Sequence, residues 1–176
     1  MNLMTFLREQ MADPSMIADT ALDFNPLEED DGLLEAQVLD ILYEVAAGVV
    51  WILLDCRGAL HVDEGNAAII AFESIEHLEW RGNRRSGWYS HIILTSNCRV
   101  SGSSLSFELG LNPQSRLVVT AGHGRLFVGD VPGCDDAPPD FTEDDDRTIR
   151  AGLANWQSRF MPAYSISVGD GASKTD

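Results

Sequence analysis

No run of apolar residues in this chain is long enough to cross a bilayer. The longest, Val49 to Leu54 and Ala67 to Phe72, fall far below the ~20 residues of a spanning helix, which excludes membrane insertion by that route. Paired cysteines are missing too. Cys56, Cys98 and Cys134 are widely spaced and form no CxxC, so neither a disulfide framework nor a zinc knuckle is expected, only reduced packing residues. Lysine is almost absent: Lys174 stands alone against eleven arginines. GC-rich codon usage produces that bias by itself, so the arginine content carries no functional signal. The opening "MNLMTFLREQMADP" has neither a basic leader before a long apolar stretch nor a small-residue cleavage signature, and the expected location is the cytoplasm. Motifs for a serine nucleophile elbow, a zinc protease helix, a phosphate loop and a dinucleotide-binding turn are all lacking. Nothing here recommends an enzyme, a cofactor or a metal, and pairs such as His123 with Asp130, or His61 with Asp63 and Glu64, acquire meaning only if the fold joins them.

What the chain does have is acid. Its 176 residues, 44% hydrophobic and 23% charged, suit one folded domain with a full core. The formal net charge is −16, the wrong sign for general nucleic-acid binding through phosphate neutralisation. The charge is uneven. Between Arg81 and Arg125 six arginines face one acid, Glu108, so a basic centre lies between acidic flanks.

Along the chain, Leu3, Phe6, Leu7 and Met11 recur at helical spacing, and Asp13-Pro14 ends that helix and caps a second short one. "NPLEEDDG" then reads as an acidic connector, closing an N-terminal unit over residues 1–31. From Ala36 the period becomes two, with Leu39, Ile41, Tyr43 and Val45 on the face expected to be buried. "VVWILLDC" is apolar on both faces, as in a covered central strand. "AAIIAF", "SIEHLEW", "WYSHIILTS", "SLSFEL", "RLVVTA" and "RLFVGDV" follow with short links. The expectation is an α+β chain: a mostly antiparallel β-sandwich or partly open barrel of about eight strands, with short N-terminal helices and one C-terminal amphipathic helix. The β-rich domain spans 32–162, and residues 163–176 form a flexible tail.

Residues Gly129 to Trp156 hold the densest acid, eight carboxylates before Arg147. A calcium loop fails there: counted from Asp135, positions three and five are Ala137 and Pro139, and counted from Asp140, position six is Asp145 and position twelve Ala151. Helix capping fits better. Thr142 occupies the N-cap position, acids fill the first turn, and Ile149, Leu153, Trp156 and Phe160 repeat at helical spacing, predicting a helix over about 143–160 that Pro162 ends.

This order, a meandering sheet closed by one C-terminal helix, resembles the pleckstrin-homology-like superfold over about residues 36–160. The resemblance implies that the helix plugs one end of a barrel with Trp156 and Phe160, and by itself it implies no activity. The chain departs from that organisation in its N-terminal helical segment, and it has no basic lipid-binding strand pair outside "RGNRR".

Two functional readings follow. In the first, a small acidic cytoplasmic protein binds and neutralises or regulates a basic protein partner, as an immunity protein does, using acids not committed to the helix: Glu28, Glu29, Asp30 and Asp31 on the connector and Asp130, Asp135, Asp136 and Asp140 before the helix. In the second, a small-molecule binding domain uses the sandwich interior or the arginine-rich hairpin, with Arg81, Arg84, Arg85 and Trp88 of "RGNRRSGW" contacting an anionic ligand. Against this stands a solvated hairpin loop whose Trp80 and Trp88 point into the core.

Overall fold

Two strands that are apolar at every position but the last organise the molecule. In the computed structural model, which describes residues 1–83 and 86–169, β2 (Val49–Asp55) and β3 (Ala67–Glu73) are buried along nearly their whole length. Side chains of a strand alternate between its faces, so such strands need cover on both sides. Val50, Ile52 and Leu54 with Ala68, Ile70 and Phe72 enter one core, while Val49, Trp51 and Leu53 with Ala67, Ile69 and Ala71 enter a second.

The remaining strands are β1 (Gln37–Glu44), β4 (His77–Gly82), β5 (Ile92–Ser101), β6 (Ser104–Asn112), β7 (Ser115–Ala121), β8 (His123–Asp130) and β9 (Met161–Gly169). They form one antiparallel sheet in the order β4-β7-β6-β5-β1-β2-β3-β8-β9. All eight expected strands are present, and β9 is a ninth. Between β1 and β5 the ladder is a single pair, Gln37 with Ile92. On either side of that seam the two parts share one core: Phe107, Leu109, Leu117 and Val119 of the four-stranded part meet Ile52, Ile70, Leu126 and Ile166 of the five-stranded part. Phe72 and Phe107 touch across it, ring centroids 4.9 Å apart.

The second core lies under α1 (Leu3–Ala12), whose Leu3, Phe6 and Leu7 are buried against Trp51, Ile69 and Phe127. Each such burial stabilises by about 1.5–3 kcal/mol. Asn2 caps the helix by accepting from the Thr5 amide at 2.8 Å. Met11 is exposed and Gln10 takes the inward position instead. The second helix shrinks to one 3-10 turn, Pro14–Met16, capped by Asp13 as expected.

In β1 the expected alternation is split. A bulge between Val38 and Asp40 shifts the phase, so Ile41 packs on the core shared by the two parts of the sheet, Leu39 and Leu42 pack on the helix side, and Tyr43 and Val45 are exposed.

The largest correction concerns the C-terminus. The helix α2 covers only Asp146–Ala151. Beyond Gly152 the side chains of Asn155 and Ser158 capture backbone donors that a helix would need: Asn155 Oδ1 accepts from the Gln157 amide at 2.9 Å and Ser158 Oγ from the Asn155 amide at 2.9 Å. Thr142 is not the cap. Its hydroxyl donates to Asp140, and Asp145 caps α2 by accepting from the Thr148 amide at 2.7 Å. Phe160 is buried, but against Phe6 at 5.1 Å and not in the end of a barrel. Trp156 is half-buried with its indole N–H donating to Asp40 at 2.7 Å.

Pro162 does not close the fold either. It sits in β9 opposite Gly129, where the register shifts, and a Cβ on Gly129 would lie 2.3 Å from the Met161 carbonyl oxygen, so only glycine admits the approach. Tyr164, Ile166 and Val168 of β9 are core residues, so residues 163–169 are not tail; residues 170–176 lie outside the described residues. Among the described residues, no helix is long and apolar enough to cross a membrane.

Candidate functional site

The acids expected to meet a partner divide into three groups. The connector acids are stitched to β5. Asp30 pairs with Arg99 at 3.0 Å and accepts from Asn97 at 2.7 Å, and Asp31 exchanges hydrogen bonds with the Ser96 backbone, its amide donating at 2.8 Å and its carboxylate accepting at 3.1 Å. Glu28 and Glu29 remain exposed beside them. Leu27 and Leu33 are buried, so the connector belongs to the same packed body as the sheet.

Asp140 is committed to its own turn. It accepts from the Thr142 hydroxyl and amide at 2.7 and 2.8 Å, and these bonds, first the side-chain one, hold its carboxyl below the usual carboxylate range. Asp140 thus caps this turn while remaining exposed.

Asp130, Asp135 and Asp136 do come together. They line a cleft of about 580 Å³ with Asp63, Gly65, Asn66 and Arg57. β8 supplies Asp130 at its last residue, and the loop from Val131 carries the others. Asn66 pins that loop, accepting from the Val131 amide at 2.8 Å and donating to the carbonyls of Val131 and Cys134 at 3.1 Å each. Asp130 accepts from the Asn66 amide at 3.2 Å.

Arg57 is the cation of this cleft, and it is saturated. It forms a buried, multiply hydrogen-bonded ion pair with Asp55 and donates to the carbonyls of Asp136 at 2.9 Å and Gly152 at 2.8 Å. Burial opposes its charge, but the hydrogen bond and charge of Asp55, with Cys134 and Asp136 contributing, keep its pKa above the ordinary value. The four acids at the rim thus have no free base among them.

A second groove of about 490 Å³ adjoins the first, with Asp63 in the lining of both. Here Leu22, Phe24, Leu60 and Tyr164 supply apolar surface, and Asp23, His61 and Glu64 supply polar groups. Leu22 and Phe24 are each 39% exposed and Leu60 58%. The Phe24 and His61 rings meet at a tilt, their centroids 5.2 Å apart. Burial first, then the neighbouring Cys56, Glu64 and Asp63, push the Tyr164 hydroxyl up to about 12.

Leu22, Asp23, Phe24, Leu60 and Tyr164 are the residues of this candidate groove that sequence reasoning missed. One signal was present: Phe24 and Leu60 are large apolar residues in the acid-flanked segments "ALDFNP" and "GALHVDEG", where no periodicity offers them a core. The fold does join His61 with Asp63 and Glu64 along this groove. It does not join His123 with Asp130, which occupy opposite ends of β8, about 23 Å apart along a strand; His123 instead lies 4.0 Å from Glu73.

Of the arginine-rich hairpin, Arg81 lines an open groove of about 510 Å³ with Asn83, Leu94, Gln114 and Arg116. Arg81 pairs with Glu79 at 2.9 Å, and Arg116, beside it in the ladder, pairs with Glu108 at 2.6 Å. Trp88 lies under the Arg150 guanidinium at 5.0 Å. Trp80 and Trp88 are 43% and 38% exposed, which corrects the expectation that they point into the core. Arg84 and Arg85 lie outside the described residues. Among the described residues no group of His, Cys, Asp and Glu is placed to hold a metal ion. No family model, curated protein or solved structure matches this chain.

Proposed function

We propose that this chain is a small interaction module that docks a basic protein partner and neutralises or regulates it, as an immunity protein does its toxin. The observation that carries the reading is the shared wall at Asp63: an exposed apolar groove and an acid-lined cleft meet there. An apolar centre beside a polar rim is the usual anatomy of a protein interface. Asp23, Asp63, Glu64, Asp130, Asp135 and Asp136 give that rim one sign of charge, which steers a basic surface and sets its orientation. Leu22, Phe24 and Leu60 then supply the desolvated contact that holds it. Three buried free cysteines, Cys56, Cys98 and Cys134, are compatible with work in a reducing compartment such as the cytoplasm.

The test is capture from native extract at low salt, identification of the retained protein, and binding measurements on that purified partner. Asp135→Lys with Asp136→Lys should slow association and flatten its salt dependence, because exposed charge acts mainly on the on-rate and is screened within ~8 Å at physiological salt. Phe24→Ala should act mainly by faster dissociation. If no specific basic protein is retained, or the reversed variant binds it as the parent does, the reading is wrong.

A further inference from the structure

The two outer edges of the sheet are finished differently. Along β9 the edge is covered: residues 18–20 run beside it, with a parallel bridge between Asp19 and Ser165 and the Thr20 amide donating to the Ser165 carbonyl at 2.7 Å. Along β4, at the other end of the strand order, no strand among the described residues pairs with the outer side. A bare edge offers its unpaired backbone groups to another chain unless charge or shape forbids it.

The side chains of β4 select which chain. The strand reads His77-Leu78-Glu79-Trp80-Arg81-Gly82. Leu78 packs on the core shared by the two parts of the sheet, so Glu79 and Arg81 occupy the opposite face. There they form an ion pair within the strand, with the Arg81 side chain 73% exposed. Exposed pairs of this kind contribute little and exchange partners readily.

If two copies of β4 meet antiparallel about a twofold axis at Trp80, Glu79 of each copy stands opposite Arg81 of the other. Opposite charges in directly facing positions stabilise a sheet and like charges oppose it. Moving the axis to Glu79 or to Arg81 places like charges on each other, so the pattern specifies a single register. Bulk charge points to the same place. Two chains of net charge −16 repel over most of their surface, but the strands of the part that carries β4 hold Arg81, Arg99 and Arg116 against Glu79 and Glu108, so repulsion is least there.

We propose that β4 is a homodimer edge: two copies of this chain join antiparallel through His77–Gly82, with Trp80 on the twofold axis, and the sheet continues from one copy into the other. The interface is isologous, as a twofold contact must be, and lies apart from the acidic cleft, so it stands or falls independently of the partner reading.

Sedimentation of the full chain from micromolar to millimolar concentration tests this. The parent should pass from monomer to dimer. Glu79→Arg and Arg81→Glu, each of which sets like charges opposite one another twice, should weaken the dimer roughly tenfold or more. The double variant Glu79→Arg with Arg81→Glu restores opposite signs and should dimerise as the parent does. An equimolar mixture of the two single variants should form a heterodimer that neither forms alone. The Arg81 side chain is 73% and the Glu79 side chain 27% exposed, and circular dichroism checks that each variant is folded. A parent that stays monomeric throughout, single variants that dimerise undiminished, or a mixture that fails to associate each overturn the proposal.

Discussion

Arg57 and Asp55, two residues apart at the end of β2, form an ion pair with side chains only 8% and 5% exposed, and the same guanidinium holds the carbonyls of Asp136 and Gly152. One buried cation therefore ties the cleft loop and the end of α2 to the central strand. Removing it strands a buried carboxylate. Arg57→Ala should cost about 3–5 kcal/mol, whereas Arg57→Met combined with Asp55→Leu should recover most of that loss, because both buried charges then disappear. Urea unfolding of the three proteins measures both values, and equal losses for the single and double variants would show that packing, not charge, governs the site.

Arg125 does the same for the N-terminal segment. From β8 it donates to Asp19 at 3.2 Å, Gln10 at 3.3 Å, Ser165 at 3.1 Å and the Pro14 carbonyl at 2.8 Å, and it also reaches the Ile17 carbonyl. Hydrogen bonds to charged groups contribute about 1.5–3 kcal/mol each, and 1.4 kcal/mol is a factor of ten. In Arg125→Met the Thr20 amide, bonded to Ser165, should exchange roughly tenfold faster or more. Unchanged protection would mean that the segment is held by its apolar contacts alone.

Phe160 and Thr142 separate packing from capping at the C-terminus. Phe160→Ala should cost about 3–5 kcal/mol through the cavity beside Phe6, while half-buried Trp156→Ala should cost less. Thr142→Ala should be close to neutral and Asp145→Ala destabilising, since the cap is Asp145. The Thr148 amide bond holds the Asp145 carboxyl below its usual range. Its contribution is therefore present above the ordinary aspartate pKa of ~3.9 and lost as pH falls through the lower folded value. Acid unfolding curves should show that contribution missing in Asp145→Ala.

The thiols give an alkaline counterpart. Burial pushes Cys98 up to about 11 and Cys56 higher still. Above the ordinary thiol pKa of ~8.5 the unfolded chain releases these protons while the folded chain keeps them, so stability falls as pH rises from there toward about 11. Because thiolate is the reactive form, a thiol reagent at pH ~8 should label Cys56 and Cys98 only after denaturation. Fast labelling of the native protein would contradict their burial.

The eight strands between Gln37 and Asp130 were legible because their signals are local: alternation in "SLSFEL", apolar runs in β2 and β3 that demand cover on two sides, and glycine or polar turns between them. Capping at Asn2 escaped notice, but the helix it begins did not, since three large apolar residues at helical spacing need only one face. β9 was not legible. "MPAYSISVG" has a proline at its second position and follows a helical-looking row, and it becomes a strand because β8 presents an edge to it with Gly129 opposite Pro162.

The row Ile149, Leu153, Trp156 and Phe160 has the right period for a helix, yet Asn155 and Ser158 bind the backbone donors that would propagate it, a competition that depends on the room around each side chain. The sequence alone determined that the chain is acidic overall and that its middle stretch is basic. Which acids are free was a tertiary matter: Asp30, Asp31 and Asp140 find donors nearby, Asp135 and Asp136 face a cleft, and Asp63 gains its place only because β3 and β8 pair and bring residues 63–66 beside 130–136. Charge is additive along a chain, but commitment of a charge depends on what the fold sets within hydrogen-bonding distance of it.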